Sequence, residues 1–223
     1  MAYDLQEQES IDELKAWWDK WGNLTLGAVT VVCLAFAGYN GMKWYDRHQA
    51  QEASKAYASL QTAISQQAET TSVSHIVDAL IDDAGGTVYA PMGALSASKY
   101  FESKGDSAKA QTLLNWVINE SGHQEYQTVA RVRLAGLLMD SKKFDEAVAL
   151  LTAAQPTEKQ IALVNDRLGD AYFAKGDIEN ARKVWMQAVA HPVDPSLMGF
   201  VQLKLQALPE VAAQEPKAEE AAQ

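Results

Sequence analysis

Imidazole and thiol chemistry in this sequence rests on His48, His75, His123, His191 and the single cysteine, Cys33. A helical metal site needs such ligands three or four residues apart, and a covalent catalyst needs a base beside its nucleophile. No histidine has that spacing to another or to Cys33, and each falls beside an expected helix end or turn. Cys33 lies inside an uncharged run, away from any histidine base, and being alone it excludes an intrachain disulfide. The glycine pair Gly85-Gly86 closes a helical pattern, whereas a phosphate loop opens a helix after a strand. No Gly-x-Ser-x-Gly elbow is present. The acid pairs Asp82-Asp83 and Asp145-Glu146 stand at expected helix ends, and the second begins a helix, where carboxylates favour the positive end of the dipole. The sequence thus predicts a protein that binds rather than catalyses, with no cofactor and no metal.

Charge narrows what it binds. Twenty-nine acidic residues face 19 basic ones, a formal net charge of −10, and no block of lysines or arginines offers phosphates a stripe. Nucleic acid is therefore excluded as a general partner.

The elements that must carry the binding residues begin with a segment that is not soluble in character. No charge occurs between Lys20 and Lys43. As a helix, Trp21 to Met42 rises about 33 Å, close to the hydrocarbon thickness of a bilayer. Trp17, Trp18 and Trp21 precede or open it and Trp44 and Tyr45 follow it, where amphipathic rings favour the membrane interface. The region before it is acidic and about twenty residues long, unlike a signal peptide, so a retained span over 21–42 is expected, embedded in lipid. Within it Asn23, Gly27, Thr30, Leu34, Ala37 and Gly41 recur in steps of four and three, and all but Leu34 are small or polar. Such a stripe suits close approach by another membrane helix. Lys15 and Lys20 on one side against Lys43, Arg47 and Lys55 on the other would weakly place the C-terminal side in the cytoplasm.

From residue 43 to 208 the pattern is helical, with no strand-like alternation. "RLAGLLMDSKKFDEAVALLTAA" and "RLGDAYFAKGDIENARKVWMQA" superimpose at an offset of 34 residues. Leu168, Gly169, Tyr172, Gly176, Ala181, Trp185 and Ala188 resemble the tetratricopeptide repeat, a helix–turn–helix unit of that length. Small residues at Gly169 and Ala181 should let the two helices approach, with Tyr172 and Trp185 filling the seam to the neighbouring unit. The expected organisation is an all-α solenoid: a divergent unit at 49–84, units at 91–124, 128–161 and 162–195, and a capping helix at 196–207. The last residues, 209–223, are rich in Ala, Glu and Pro and should be disordered.

Repeat solenoids bind along the surface lined by the first helix of each unit. On the 34-residue frame this surface includes Lys99, Glu102, Met139, Asp140, Asp170 and Phe173. Asp166 and Asp170 stand where a clamp for C-terminal carboxylates would need neutral or basic donors, so carboxylate-tail capture is disfavoured.

Three features together, the acidic tail ending in "ELKAWWDKWGN", the span that starts at once, and repeats entered through "ASKAYASLQTAI", resemble the ancillary SecYEG translocon subunit family (YfgM-type proteins). The junction Leu14, Lys15, Trp17, Trp18 and Gly22 is the most specific part. The resemblance implies a bacterial inner-membrane protein with residues 1–20 in the cytoplasm and the repeats in the periplasm, against the weak charge bias. It further implies association with the SecYEG translocon and a PpiD-like periplasmic chaperone, and a role in receiving newly translocated, unfolded proteins. No catalytic residues come with it. A structural scaffold of another envelope or secretion assembly, without client binding, and a cytoplasmic adaptor remain alternatives.

Overall fold

Polarity changes sharply at residues 20 and 42, yet nothing between Ala2 and Ser65 stops a helix. The segment contains no proline, and its four glycines are scattered rather than paired. In the computed structural model, which describes residues 2–191 and 195–209, helix α1 accordingly runs unbroken from Ala2 to Ser65. None of the boundaries expected at 20/21, 42/43 and 48/49 is therefore a helix end. A lone helical glycine costs only about 1 kcal/mol, too little to break so long a helix. The expected tail at 209–223 lies outside the described residues except for Pro209, as does the loop at 192–194.

The chain forms two compact units, Met1–Glu52 and Ala53–Gln223. In the first, α1 is long and apolar enough to cross a membrane. Its apolar side chains, among them Leu24, Val32, Leu34 and Phe36, face outward. Gly22 is buried, because the Trp18 indole covers it so closely that a Cβ there would lie 3.1 Å from the ring.

The second unit holds the end of α1 and α2 (Thr70–Ala84), then three helical hairpins and a last helix. The hairpins are α3 (Tyr89–Ser103) with α4 (Ser107–Glu120), α5 (Gln124–Asp140) with α6 (Phe144–Thr152), and α7 (Ile161–Lys175) with α8 (Ile178–Ala190). Helix α9 (Pro195–Ala207) follows. All regular structure among the described residues is helical. From α2 onward neighbours in sequence pack together, and the first helices also meet, α3 on α5 and α5 on α7. That second set of contacts makes the hairpins an array with one face lined by first helices.

Small residues set the helix spacing. A Cβ on Gly169 would come within 2.4 Å of the Trp185 ring, so α7 and α8 close only because none is there. Trp185 thus covers the first helix of its own unit, and its Nε1 donates to the Asp166 carbonyl at 3.1 Å. It also borders α9, so the expected filling of the next seam is only half of its role. At Gly93 a Cβ would lie 2.5 Å from Leu80, which makes a similarly close approach of α3 to α2. The core runs from Ala53 through Leu60, Leu114 and Leu151 to Ala171, and a second cluster joins Ala181, Trp185, Ala188, Val201 and Leu208.

The turns within the hairpins differ. Gly105 and Gly176 hold positive φ (80° and 90°), and Asp106 and Asp177 behind them cap α4 and α8 by accepting from Lys109 N and Asn180 N. In the middle hairpin Lys142 takes the left-handed position at φ 60°, and Lys143 precedes α6 without a side-chain cap.

Candidate functional site

The face lined by first helices holds a cavity of about 380 Å³. Helix α3 contributes Lys99 and Glu102, α5 contributes Val132, Arg133, Gly136, Met139 and Asp140, and α7 contributes Arg167. Four of the six groove residues expected from the sequence, Lys99, Glu102, Met139 and Asp140, therefore share one cavity. Its depth comes from Gly136, where a Cβ would meet nothing within 4 Å. Arg133 reaches across it and donates from Nη1 to the Leu95 carbonyl at 2.6 Å, tying α5 to α3. Burial pushes the Arg133 pKa down, and the Glu102 charge opposes that shift. Three cationic side chains and two carboxylates line the cavity, so it is locally positive within an acidic protein. Cations can meet backbone carbonyls or acidic side chains, and the Met139 thioether adapts to apolar groups of varied shape. The volume is within the range of ligand-sized clefts.

Asp170 and Phe173 are set apart from the other four. They line a smaller recess of about 250 Å³ with Trp185, Lys204, Ala207 and Leu208. Lys204 Nζ lies 2.6 Å from Asp166 Oδ1 and 2.6 Å from Asp170 Oδ1, and 5.7 Å from the centre of the Trp185 ring. Arg167 adds a longer contact to Asp170, at 3.7 Å. Burial raises the Asp170 pKa, the Lys204 hydrogen bond opposes it, and the Asp166 charge adds to the rise. The two acids expected to face a partner are thus engaged by α9. Phe173 remains 49% exposed at the rim.

On α1 the expected stripe of Asn23, Gly27, Thr30, Leu34, Ala37 and Gly41 falls on an exposed side. A Cβ on Gly27 or Gly41 would meet nothing, which leaves their backbone open to close approach. The Thr30 hydroxyl donates to the Leu26 carbonyl at 2.7 Å, so its donor is used within the helix. Cys33 is exposed on the same helix. His48 stacks on Trp44 at 5.5 Å, and His123 meets Tyr126 edge-on at 6.0 Å. Among the described residues no three His, Cys, Asp or Glu side chains converge as a metal site.

A family model for a tetratricopeptide repeat-like domain matches residues 15–210. The chain belongs to this family. Curated relatives bear the name "Ancillary SecYEG translocon subunit", as the resemblance read from the sequence implied. The protein from Aggregatibacter actinomycetemcomitans is 28% identical, over 84% of this chain and 91% of its own. That from Neisseria gonorrhoeae is 26% identical over 93% and 100%, and that from Escherichia coli 24% identical over 89% and 95%. Among solved structures, the N-terminal domain of stress-induced protein-1 (STI-1) from C. elegans is similar at a TM-score of 0.42. That likeness carries 21% identity over 52% of this chain and 94% of the other.

In this tetratricopeptide repeat-like chain, the groove residues that sequence reasoning missed are Val132, Arg133, Gly136 and Arg167. The signal was present, because Arg133 and Arg167 stand one 34-residue period apart. Lys204 is one period beyond Asp170, so α9 continues the register of the first helices. The expected capping helix is accordingly a first helix, and it seats a lysine between two acids of the preceding unit.

Proposed function

We propose that this protein is a non-catalytic ancillary subunit of a SecYEG-type translocon. Residues 21–42 anchor it in the bacterial inner membrane, with residues 1–20 in the cytoplasm and the repeat array in the periplasm. The relatives that carry the translocon name along nearly their whole length are the observation behind this reading. The α1 stripe at Asn23, Gly27, Thr30, Ala37 and Gly41 is the membrane contact. The cavity at Lys99, Glu102, Met139 and Asp140 receives a segment of a PpiD-like chaperone or of a newly translocated, unfolded chain. Phe173, at the rim of the separate α7–α9 recess that Asp170 also lines, offers a second, apolar contact. The tether holds the cavity near the channel exit, which raises its effective concentration there without further contacts.

Topology is tested by fusing a phosphatase that works only in the periplasm after Gln223, with a cytoplasm-active reporter as control. Phosphatase activity is expected, and activity of the cytoplasmic reporter alone would overturn the reading. A photo-crosslinker at Met139, with SecYEG and a substrate stalled during translocation, should join the substrate or a chaperone. The same probe at the outward-facing Met186 should join neither.

A further inference from the structure

Helix α9 has two apolar sides, and the array uses one of them. Leu197, Val201 and Leu205, with Leu208 beyond the helix end, join the cluster of Ala181, Trp185 and Ala188 on α8. On the other side Phe200 and Leu203 are 66% and 63% exposed, with Ala207 exposed in line with them. The one charge between 197 and 207 is Lys204, which Asp166 and Asp170 of α7 hold. The outward side of the last helix is thus apolar and uncharged, whereas repeat arrays close with a polar outer face.

The 34-residue register accounts for this side. Helix α7 meets the second helix of its unit at three places. Trp185 donates to the Asp166 carbonyl, its ring covers Gly169, and its ring centre lies 5.8 Å from that of Phe173. One period on, Asp166, Gly169 and Phe173 become Phe200, Leu203 and Ala207. The exposed stripe of α9 is therefore the seat of a second helix, in a unit that has its first helix alone among the described residues.

Residues 212–223 fall in the frame of that second helix, but their sequence does not suit it. Glu215 and Glu219 stand where α8 buries Ala181 and Trp185, and Pro216 would interrupt the helix. A second copy of α9 suits the seat no better, since a two-fold pairing about the middle of the stripe sets Leu203 against Leu203. In the units before it the small, buried Ala135 and Gly169 hold the position of Leu203, and the bulky, buried Leu151 and Trp185 lie on the second helices. At α9 the bulk is on the first helix, so close packing needs the small residue on the incoming one.

We infer that the exposed side of α9 receives an amphipathic helix of a partner protein, antiparallel to α9, which completes the last hairpin in trans. That helix carries a small residue opposite Leu203, apolar residues a turn to either side, and no charge where it meets Gln202 and Gln206.

The test gives the full chain a second helix of its own. Residues 210–223 are replaced by a copy of 176–189, which brings the Gly-Asp turn and α8, and in one form the copy carries Trp185→Ala. The alanine copy should slow amide exchange in 197–207 about tenfold or more, and should do so equally at low and high salt. The tryptophan copy should protect less, and Leu203→Gly should reverse that order. An order that does not reverse, or no protection from either copy, overturns the inference. In cells, photo-crosslinkers at Phe200 and Leu203 of the unaltered chain should join one other protein at sites three or four residues apart, and the alanine copy should abolish both adducts. Adducts with residues 210–223, with a second copy or scattered over many sequences, or none at all, overturn the inference and leave the translocon reading standing.

Discussion

Replacing Lys204 by methionine isolates the energetics of the α9 contact. Methionine keeps most of the apolar stem, so the loss is mainly of charge rather than of packed area. The lysine side chain is 32% exposed, and those of Asp166 and Asp170 are 12% and 23% exposed. Removing one member of a fully buried ionic cluster costs roughly 3–5 kcal/mol, because the remaining charges stay desolvated. Partial exposure here, and the nearby Arg167, reduce that to about 2 kcal/mol. Helix α9 is held by one short line of apolar anchors, Leu197, Val201 and Leu205 with Leu208 beyond its end, so the loss should appear as local opening. Two kcal/mol corresponds to about thirtyfold faster amide exchange. Hydrogen exchange on the full chain at pH 7 should show this in 197–207 while α3 and α5 stay unchanged. Adding Asp166→Asn and Asp170→Asn to Lys204→Met should restore most of the protection, since amides need no counter-charge. Unchanged exchange in the single variant, or a triple variant no better protected than the single one, would refute the reasoning.

Four other outcomes follow from the geometry. Gly169→Ala should destabilise the repeat unit by about 1–2 kcal/mol, because the Trp185 ring must move. Gly136→Ala, where space is open, should stabilise by up to about 1 kcal/mol while making the cavity shallower; urea unfolding of both variants checks the opposite signs. Lys142→Gly should raise stability by about 1 kcal/mol by relieving a left-handed lysine, with protection gained in α6. Acid titration should separate two carboxyls. Hydrogen bonds from the Asn180 side chain and backbone hold Asp177 below its ordinary pKa of 3.8, so its stabilising effect is present above 3.8 and lost as pH falls through the lower folded value. Asp170, raised mainly by burial, works the other way: its cost sets in as pH rises from 3.8 through the higher folded value. Carboxyl NMR titration should place Asp177 below 3.8 and Asp170 above it.

The repeat was legible because packing imposes it locally. Gly169 and Trp185 must lie where two helices touch, and that demand recurs every 34 residues. The cavity was partly legible for the same reason, since Lys99, Glu102, Met139 and Asp140 follow from the frame once the first helices are known. The engagement of Asp170 by Lys204 was hidden because it depends on α9 adopting the register of a unit whose second helix was never expected. The continuity of α1 was hidden by polarity, which marks where a helix changes solvent but not where its backbone hydrogen bonds end. Arg133 fell outside the expected groove because its bond to the Leu95 carbonyl depends on how closely α5 approaches α3, which the repeat frame alone does not give.

The middle hairpin turn gives this array an unusual fault line. The outer hairpins turn on Gly105-Asp106 and Gly176-Asp177, whereas the central one turns on Lys142-Lys143, with backbone strain and no cap. In a chain of nearest-neighbour units, a break spreads when the fragments on either side are too short to stand alone. A break between α5 and α6 leaves two complete hairpins or fewer on each side, below the three or so that such arrays require. Placing the uncapped turn at the centre therefore couples the whole array. A break there releases both ends together, and a protease that cuts at Lys142 should clear the domain in one step without leaving a folded stump.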